Sequence, residues 1–165
     1  MMAGALVLTS QGIPFLDAGI EMARSKSGDH NSYKSPDSIN QIDWSRKSSH
    51  LEIFRYYQSL IALRKAHPAF RLTSADQIRT HLIFSSDYQP GVASYVLVNR
   101  ANGDSWRTIL LVFNGNRTEI SFQLMPHIPW RIVAQDKMIN TTSTDFVAGT
   151  EIKVAGISML MLVED

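Results

Sequence analysis

The chain has 165 residues, of which 44% are hydrophobic and 19% are charged. These proportions are typical of a globular protein and exclude a collagen-like chain, a coiled coil and a disordered tail. The formal net charge of +1 argues against a nucleic-acid-binding surface, which needs a strong excess of basic residues. Because the chain contains no cysteine, disulfides, thiolate metal sites and a cysteine nucleophile are excluded.

The chain begins with an apolar run over residues 1–8. No Lys or Arg precedes this run, and Gln11, Pro14 and Asp17 interrupt it before it reaches the roughly 18 residues that a membrane span needs. We therefore expect buried structure here, with no membrane partner. Residues 5–8 are predicted as the end of a helix, and the continuous apolar run over residues 13–16 as a strand buried on both faces.

A polar loop and an amphipathic helix follow. Residues 25–49 are rich in Ser, Asp, Asn, Lys and Gly, which predicts a loop long enough to have a function. Ser49 and Glu52 have the spacing of a capping box, and Ile53, Tyr57 and Leu60 then recur at helical spacing. The helix is predicted to end before Pro68.

From about residue 72 onward the hydrophobic period changes from that of a helix to that of strands. Short β-rich runs alternate with turn sequences, a pattern that predicts an antiparallel β-sandwich. The predicted strands cover residues 81–85, 92–98, 108–113, 119–123, 130–134, 151–154 and 157–163.

The change of period divides the chain into a first unit, residues 1–72, and a second unit, residues 73–165. One strand, one loop and one helix cannot form an α/β layer, because a parallel strand needs neighbours on both edges. The first unit is therefore expected to be part of a larger structure.

Residues 29–44 hold the densest cluster of hydrogen-bonding and aromatic side chains in the chain. Asp, Asn and Gln can bond to sugar hydroxyls, and Tyr and Trp can stack on sugar rings, so this composition suits a neutral polyol. A solvated loop without function has the same composition, and both interpretations stay open. The five histidines show no metal-ligand spacing, so no metal site is expected.

Four segments carry a resemblance to a known family. They resemble type I pullulanases, which are α-1,6-glucan debranching enzymes of the α-amylase family. The segments are residues 10–21 (SQGIPFLDAGIE), 31–46 (NSYKSPDSINQIDWSR), 60–71 (LIALRKAHPAFR) and 156–159 (GISM).

The resemblance implies a fold and a division of labour. Residues 1–72 would be the last strand, loop and helix of an (α/β)8 barrel, and residues 73–165 a C-terminal β-sandwich, which makes the chain an α+β fragment. The family uses a retaining mechanism with two carboxylates, carried on earlier barrel strands. The resemblance therefore places no catalytic residue in this chain, implies no cofactor, and predicts that the chain alone is inactive.

The resemblance also implies a substrate-binding role for the polar loop. Relatives have an Asp and, four residues later, commonly an Arg that bind glucose near the cleavage point. That pattern falls on Asp37 and Gln41, and the Gln makes the implied contact a neutral hydrogen bond. The expected substrate-binding residues are Asn31, Tyr33, Asp37, Asn40 and Gln41.

The expected partners are an α-glucan such as pullulan or a branched maltooligosaccharide, and the remaining barrel portion of the same protein. Self-association through residues 1–72 is a further expectation. The compartment is left open, since a secreted or cell-envelope location of the whole enzyme is compatible with the resemblance. Two alternatives stay open, a noncatalytic glucan-binding module and a structural β-sandwich without sugar affinity.

Overall fold

The computed structural model describes residues 1–86 and 89–165. In this part the chain forms five α-helices followed by eight β-strands, with short 3₁₀ turns between them. The helices are α1 (Met2–Thr9), α2 (Asp37–Asn40), α3 (Arg46–Ser49), α4 (Leu51–Ala66) and α5 (Ala75–His81). The strands are β1 (Leu82–Phe84), β2 (Val92–Leu97), β3 (Thr108–Asn114), β4 (Ile120–Gln123), β5 (Arg131–Gln135), β6 (Met138–Ile139), β7 (Glu151–Val154) and β8 (Ser158–Glu164).

The strands form two antiparallel sheets, so the molecule has an α+β architecture. The larger sheet has the order β1-β2-β3-β8-β5-β6, and β4 pairs with β7 in a smaller sheet. The central strand β3 is buried along its whole length, and its neighbour β8 is buried at all but its last residue. Both faces of these two strands are therefore covered, which explains their continuous apolar runs.

The larger sheet has a hydrophobic core on each face. On one face, Leu111 and Met161 pack with Leu8 of α1 and Leu60 of α4. The opposite face packs against the smaller sheet, and this second core contains Leu110, Val112, Phe122, Trp130, Ile152, Val154, Leu160 and Leu162. The two-layer packing of antiparallel sheets agrees with the expected sandwich.

The predicted strands are observed within one or two residues at each end, and the interval 151–154 coincides with β7. The two-residue strand β6 was not predicted. Helix α5 is not among the predicted elements, and it includes His81, the first residue of the predicted strand 81–85. Its start is marked by Ser74, whose Oγ accepts a hydrogen bond from the Gln77 amide at 3.2 Å. This Ser-x-x-Gln spacing is a recognisable N-cap pattern.

Two predictions about the first 72 residues are wrong. Residues 13–16 form no strand, and Ile13 and Phe15 are 97% and 92% exposed instead of buried. A strand needs hydrogen-bonding partners on its edges, and no other strand of the described chain pairs with this segment. The expected capping box at Ser49 is also absent, because Ser49 is the last residue of α3 and α4 begins at Leu51 without a side-chain cap.

Helices α1 and α4 pack closely against each other. The Tyr57 side chain of α4 lies so near Gly4 of α1 that a Cβ on Gly4 would come within 2.2 Å of the phenolic oxygen. Tyr57 and Leu60 are buried, so these two side chains of the helix are covered within the chain, whereas Ile61 is 44% exposed.

A buried arginine fixes the carboxyl end of α1. Arg64 of α4 donates hydrogen bonds to the carbonyl oxygens of Leu8, Ser10 and Gly12 at 2.9, 2.8 and 2.6 Å. A cation is favourable at a helix carboxyl end, where the unpaired carbonyl groups concentrate negative charge. No helix in the described residues combines the length and apolar character that crossing a bilayer requires.

Candidate functional site

The polar loop between α1 and α4 is organised around Asn40. The Asn40 Nδ2 donates to the carbonyl oxygens of Ser32 and Ser35 at 2.7 and 2.8 Å, and its Oδ1 accepts from Lys26 Nζ at 2.6 Å. The Arg24 guanidinium also donates to the Asn40 carbonyl oxygen. The side-chain amide of Asn40 is thus engaged in holding the loop in shape.

Two arginines tie the loop to the 3₁₀ turn Ile20–Met22 and its flanks. Arg24 Nη1 donates to the Ala18 carbonyl oxygen at 3.1 Å. Arg46 Nη2 donates to the Ala23 carbonyl oxygen at 2.6 Å and lies 3.2 Å from His50 Nε2. The two bonds to backbone carbonyl oxygens join residues that are 6 and 23 positions apart, which gives the loop a defined shape without a hydrophobic core of its own.

Tyr33, Asp37 and Gln41 are all exposed. Asp37 and Gln41 are one helical turn apart, because the Gln41 amide donates to the Asp37 carbonyl oxygen at 2.7 Å. Tyr33 is 75% exposed, and the Lys34 Nζ lies 5.3 Å from the centre of its ring. Asn31 is exposed too, and its backbone amide donates to Asp29 Oδ1 at 3.0 Å.

Two further carboxylates of the loop are held by local hydrogen bonds. The Ser35 hydroxyl and the Asn31 amide lower the pKa of Asp29. The Ser45 hydroxyl and then its amide lower the pKa of Asp43, at 2.6 and 3.0 Å. Both groups are therefore fixed as ionised acceptors within turns.

The arrangement can bind a polar ligand by hydrogen bonds and ring stacking. Asp37 offers two acceptor oxygens, Gln41 a donor and an acceptor, and Tyr33 an exposed aromatic face. Trp44 adds a second exposed ring, with 70% of its surface accessible. In the described residues, no group of three or more His, Asp and Glu is placed to hold a metal ion.

The five expected substrate-binding residues therefore differ in their surroundings. Asn31, Tyr33, Asp37 and Gln41 are exposed, whereas the Asn40 side chain is committed to bonds within the loop. Sequence reasoning did not find Arg24 and Arg46, which shape the loop. Their partners are mostly backbone carbonyl oxygens, and a residue pattern contains no trace of such contacts.

The chain is similar in sequence to pullulanases. Residues 78–138 match the family model described as the pullulanase all-beta domain. Over 164 residues the chain is 35% identical to the pullulanase of Bacillus subtilis (strain 168). This alignment covers 99% of the present chain and 23% of the pullulanase.

Solved structures of pullulanases share the fold. The pullulanase of Bacillus acidopullulyticus superposes with a TM-score of 0.91 and 41% identity, over 99% of this chain and 20% of that chain. A mutant pullulanase of Paenibacillus barengoltzii in complex with maltotriose superposes with a TM-score of 0.87 and 42% identity, over 98% of this chain and 24% of that chain. In sequence and in fold the chain is therefore similar to pullulanases over 98–99% of its own length, and it spans less than a quarter of the length of these relatives.

Proposed function

We propose that the chain is part of an α-1,6-glucan debranching hydrolase, to which it contributes part of the substrate-binding rim and a structural β-domain. The observation that carries this proposal is the 35% identity to a pullulanase over 99% of the chain. Residues 1–72 are the terminal part of the catalytic barrel, and residues 73–165 are the β-sandwich. The catalytic carboxylates belong to the remainder of the enzyme.

Two features of the first unit support its assignment to a barrel. Ile13 and Phe15 expose nearly their whole side chains, as expected for an apolar segment whose packing neighbours belong to another part of the protein. The polar loop follows this segment, as ligand-binding loops follow the strands of barrel enzymes. The missing barrel portion is thus the first partner of this chain.

The exposed side chains of the loop support contact with a glucan. Asp37 and Gln41 provide hydrogen-bonding groups one helical turn apart, and Tyr33 provides an exposed ring. Asn40 supports them indirectly by fixing the backbone at Ser32 and Ser35. The ligand class is an α-glucan such as pullulan or a branched maltooligosaccharide, in line with the maltotriose complex of a related pullulanase.

Maltotriose titration followed by NMR tests the role of the loop. A single open wall leaves most sugar hydroxyls in water, so we expect a dissociation constant near 1 mM, which corresponds to about 4 kcal/mol. The shift changes should fall within residues 31–45 and disappear in Asp37→Ala. Asp76→Ala, which removes an exposed carboxylate from α5, is the matched control and should bind like the parent chain.

The same titration can contradict the proposal. Shift changes confined to strands after residue 78 would move sugar binding to the sandwich and support a glucan-binding module. The structure gives that alternative no tryptophan platform, because Trp106 and Trp130 of the second unit are 5% and 2% exposed. An absence of any shift change at 10 mM maltotriose, about ten times the expected dissociation constant, would contradict the role of the loop.

A further inference from the structure

Helix α2, which begins at Asp37 and is followed by Gln41, has no hydrophobic anchor. The helix is a single turn of four residues, and none of them is buried. One helical turn is not stable by itself, because many backbone dihedral angles are fixed for each hydrogen bond that forms. Polar contacts from other parts of the loop therefore hold α2 in place.

Arg24 makes such a contact at the carboxyl end of α2. Its guanidinium donates a hydrogen bond to the Asn40 carbonyl oxygen, and its Nη1 donates a second one to the Ala18 carbonyl oxygen at 3.1 Å. The Asn40 carbonyl is one of the groups that a helix end leaves without a partner inside the helix. Arg24 thus connects α2 to the turn that follows residues 13–16.

The path of the Arg24 side chain is fixed along its length. Its backbone amide donates to the Gly19 carbonyl oxygen at 3.0 Å. Its stem lies so close to Gly19 that a Cβ on that residue would lie 3.0 Å from the Arg24 Cβ and Cδ atoms. Gly19 has a φ of +91°, a conformation that favours glycine. The guanidinium is therefore held in a defined position relative to the turn.

The Nε atom of Arg24 is buried and has no hydrogen-bond partner among the described residues. A buried donor without a partner destabilises a fold, so we expect Arg24 to add little to the net stability of the chain. Groups that break such a local rule are expected at functional sites, where their position matters more than their contribution to stability.

We propose that Arg24 is a positioning residue for glucan binding, an inference that rests on the proposed function of the loop. Asn40 lies between Asp37 and Gln41 in the chain, so a bond to its main chain fixes both of these residues relative to the turn at Gly19. A glucan then meets hydrogen-bonding groups that are already in place. No binding free energy is needed to order α2.

Maltotriose titration of Arg24→Gln, followed by NMR, tests this role. Gln is uncharged and too short to make both main-chain bonds. The apparent affinity falls with the fraction of chains in which α2 is ordered, so we expect the dissociation constant to rise about tenfold. Arg24→Lys, which keeps the charge and one bond, should raise it about threefold. Arg55→Gln, at an exposed arginine of α4, is the matched control and should bind like the parent chain.

Two measurements without sugar separate positioning from a general structural role. The Cα chemical shifts of residues 37–40 should lose most of their helical character in Arg24→Gln, because α2 is then ordered in a minority of chains. The midpoint of urea unfolding should stay within about 0.5 M of that of the parent chain, since Arg24 adds little net stability.

The outcomes distinguish this inference from the proposed function. Unchanged affinity or unchanged Cα shifts in Arg24→Gln would overturn the positioning role while the parent chain still binds maltotriose. A large fall of the unfolding midpoint in both Arg24 variants would also overturn it, because the loss of affinity would then follow from a general loss of structure. A parent chain that binds no maltotriose would contradict the proposed function, and the positioning role would fail with it.

Discussion

Asp104 joins the first 72 residues to the sheets through a single buried carboxylate. Its Oδ1 accepts hydrogen bonds from His67 Nδ1 at 2.9 Å and from the Trp106 amide at 3.0 Å, and its Oδ2 accepts from the Ala69 amide at 3.1 Å. The His67 ring stacks on the Trp106 ring, with 3.4 Å between their centres. Donors from two parts of the chain therefore converge on one side chain.

Replacing Asp104 with Asn should destabilise the fold. The Asn side chain keeps one acceptor oxygen and places an NH₂ group opposite a backbone N–H, which leaves a buried donor unpaired. We expect the free energy of unfolding to fall by about 2 kcal/mol, measured by urea denaturation. Asp76→Asn, in which an exposed carboxylate changes in the same way, should stay within about 0.5 kcal/mol of the parent chain.

The difference between the parent chain and Asp104→Asn should depend on pH. Burial raises the pKa of Asp104, but the hydrogen bonds from His67 and from the amides of Trp106 and Ala69 outweigh burial, so the net pKa is lowered. Such a group stabilises the fold fully above the unfolded-state pKa of about 3.9, and the stabilisation is lost as the pH falls through the folded-state pKa. The stability difference should therefore shrink below about pH 4, and a difference that grows there would contradict this account.

At the scale of the elements, the contact between α1 and α4 depends on a missing side chain. Gly4 lies in the first half of α1, and the Tyr57 ring fills the space that a Cβ would occupy. Tyr57 is buried, and burial raises its pKa, so its hydroxyl stays neutral at ordinary pH. The helices can approach this closely only because position 4 has no side chain.

Gly4→Ala should lower stability although alanine is the better helix former. Helix propensity alone would favour the variant by about 1 kcal/mol, but forcing the Tyr57 ring aside costs about 1–3 kcal/mol. Thermal unfolding should therefore show a lower midpoint for Gly4→Ala. Ala3→Gly, at an exposed neighbouring position, reports the propensity effect without the steric conflict. A higher midpoint for Gly4→Ala would mean that the two helices do not pack as described.

Helix starts show why local patterns predicted some elements and missed others. A serine followed three residues later by Glu or Gln occurs at several positions, among them Ser49 and Ser74. Of these two, Ser74 acts as a cap, because it has an extended backbone and its hydroxyl accepts a hydrogen bond from the Gln77 amide. Ser49 is already part of α3, so its backbone does not have the conformation that a cap requires. The same spacing therefore gives a cap only where the serine does not already belong to a preceding helix.

At the scale of the whole molecule, the helices and the sheets share one hydrophobic core. Leu60 of α4 and Leu111 of β3 are both fully buried in it, together with Phe70 and Met161. The second core, between the two sheets, shares strands β3 and β8 with the first. A loss of packing on either face of the larger sheet therefore affects the same two strands.

We expect the chain to unfold in one cooperative transition. In a Trp44→Phe background, fluorescence reports on Trp106 and Trp130, whereas far-UV circular dichroism reports mainly on the helices. The two denaturation curves should coincide, and Leu60→Ala should shift both by about 3 kcal/mol. The Ile61→Ala variant, at a 44% exposed position of the same helix, should shift them less. Separate transitions would show that the helical part and the sheets fold independently.

The sequence by itself determined the strand intervals, the amphipathic helix and the similarity to pullulanases. The hydrophobic period of a strand or a helix is a local property, and polar residues mark the turns between such elements. A single sequence therefore shows both the elements and the turns. The similarity to pullulanases is visible in the sequence segments themselves. This similarity identified the polar loop as the candidate sugar-binding site. These features need no knowledge of which segments meet in space.

Only the tertiary structure decided which apolar segments are covered and which loop side chains are available. Residues 13–16 have the composition of a buried strand, but burial depends on neighbours, and in the described chain Ile13 and Phe15 stay almost fully exposed. Asn40 has the chemistry of a sugar ligand, yet its amide is committed to Lys26, Ser32 and Ser35. Burial and hydrogen-bond partners come from residues distant in sequence, and a local pattern cannot specify them.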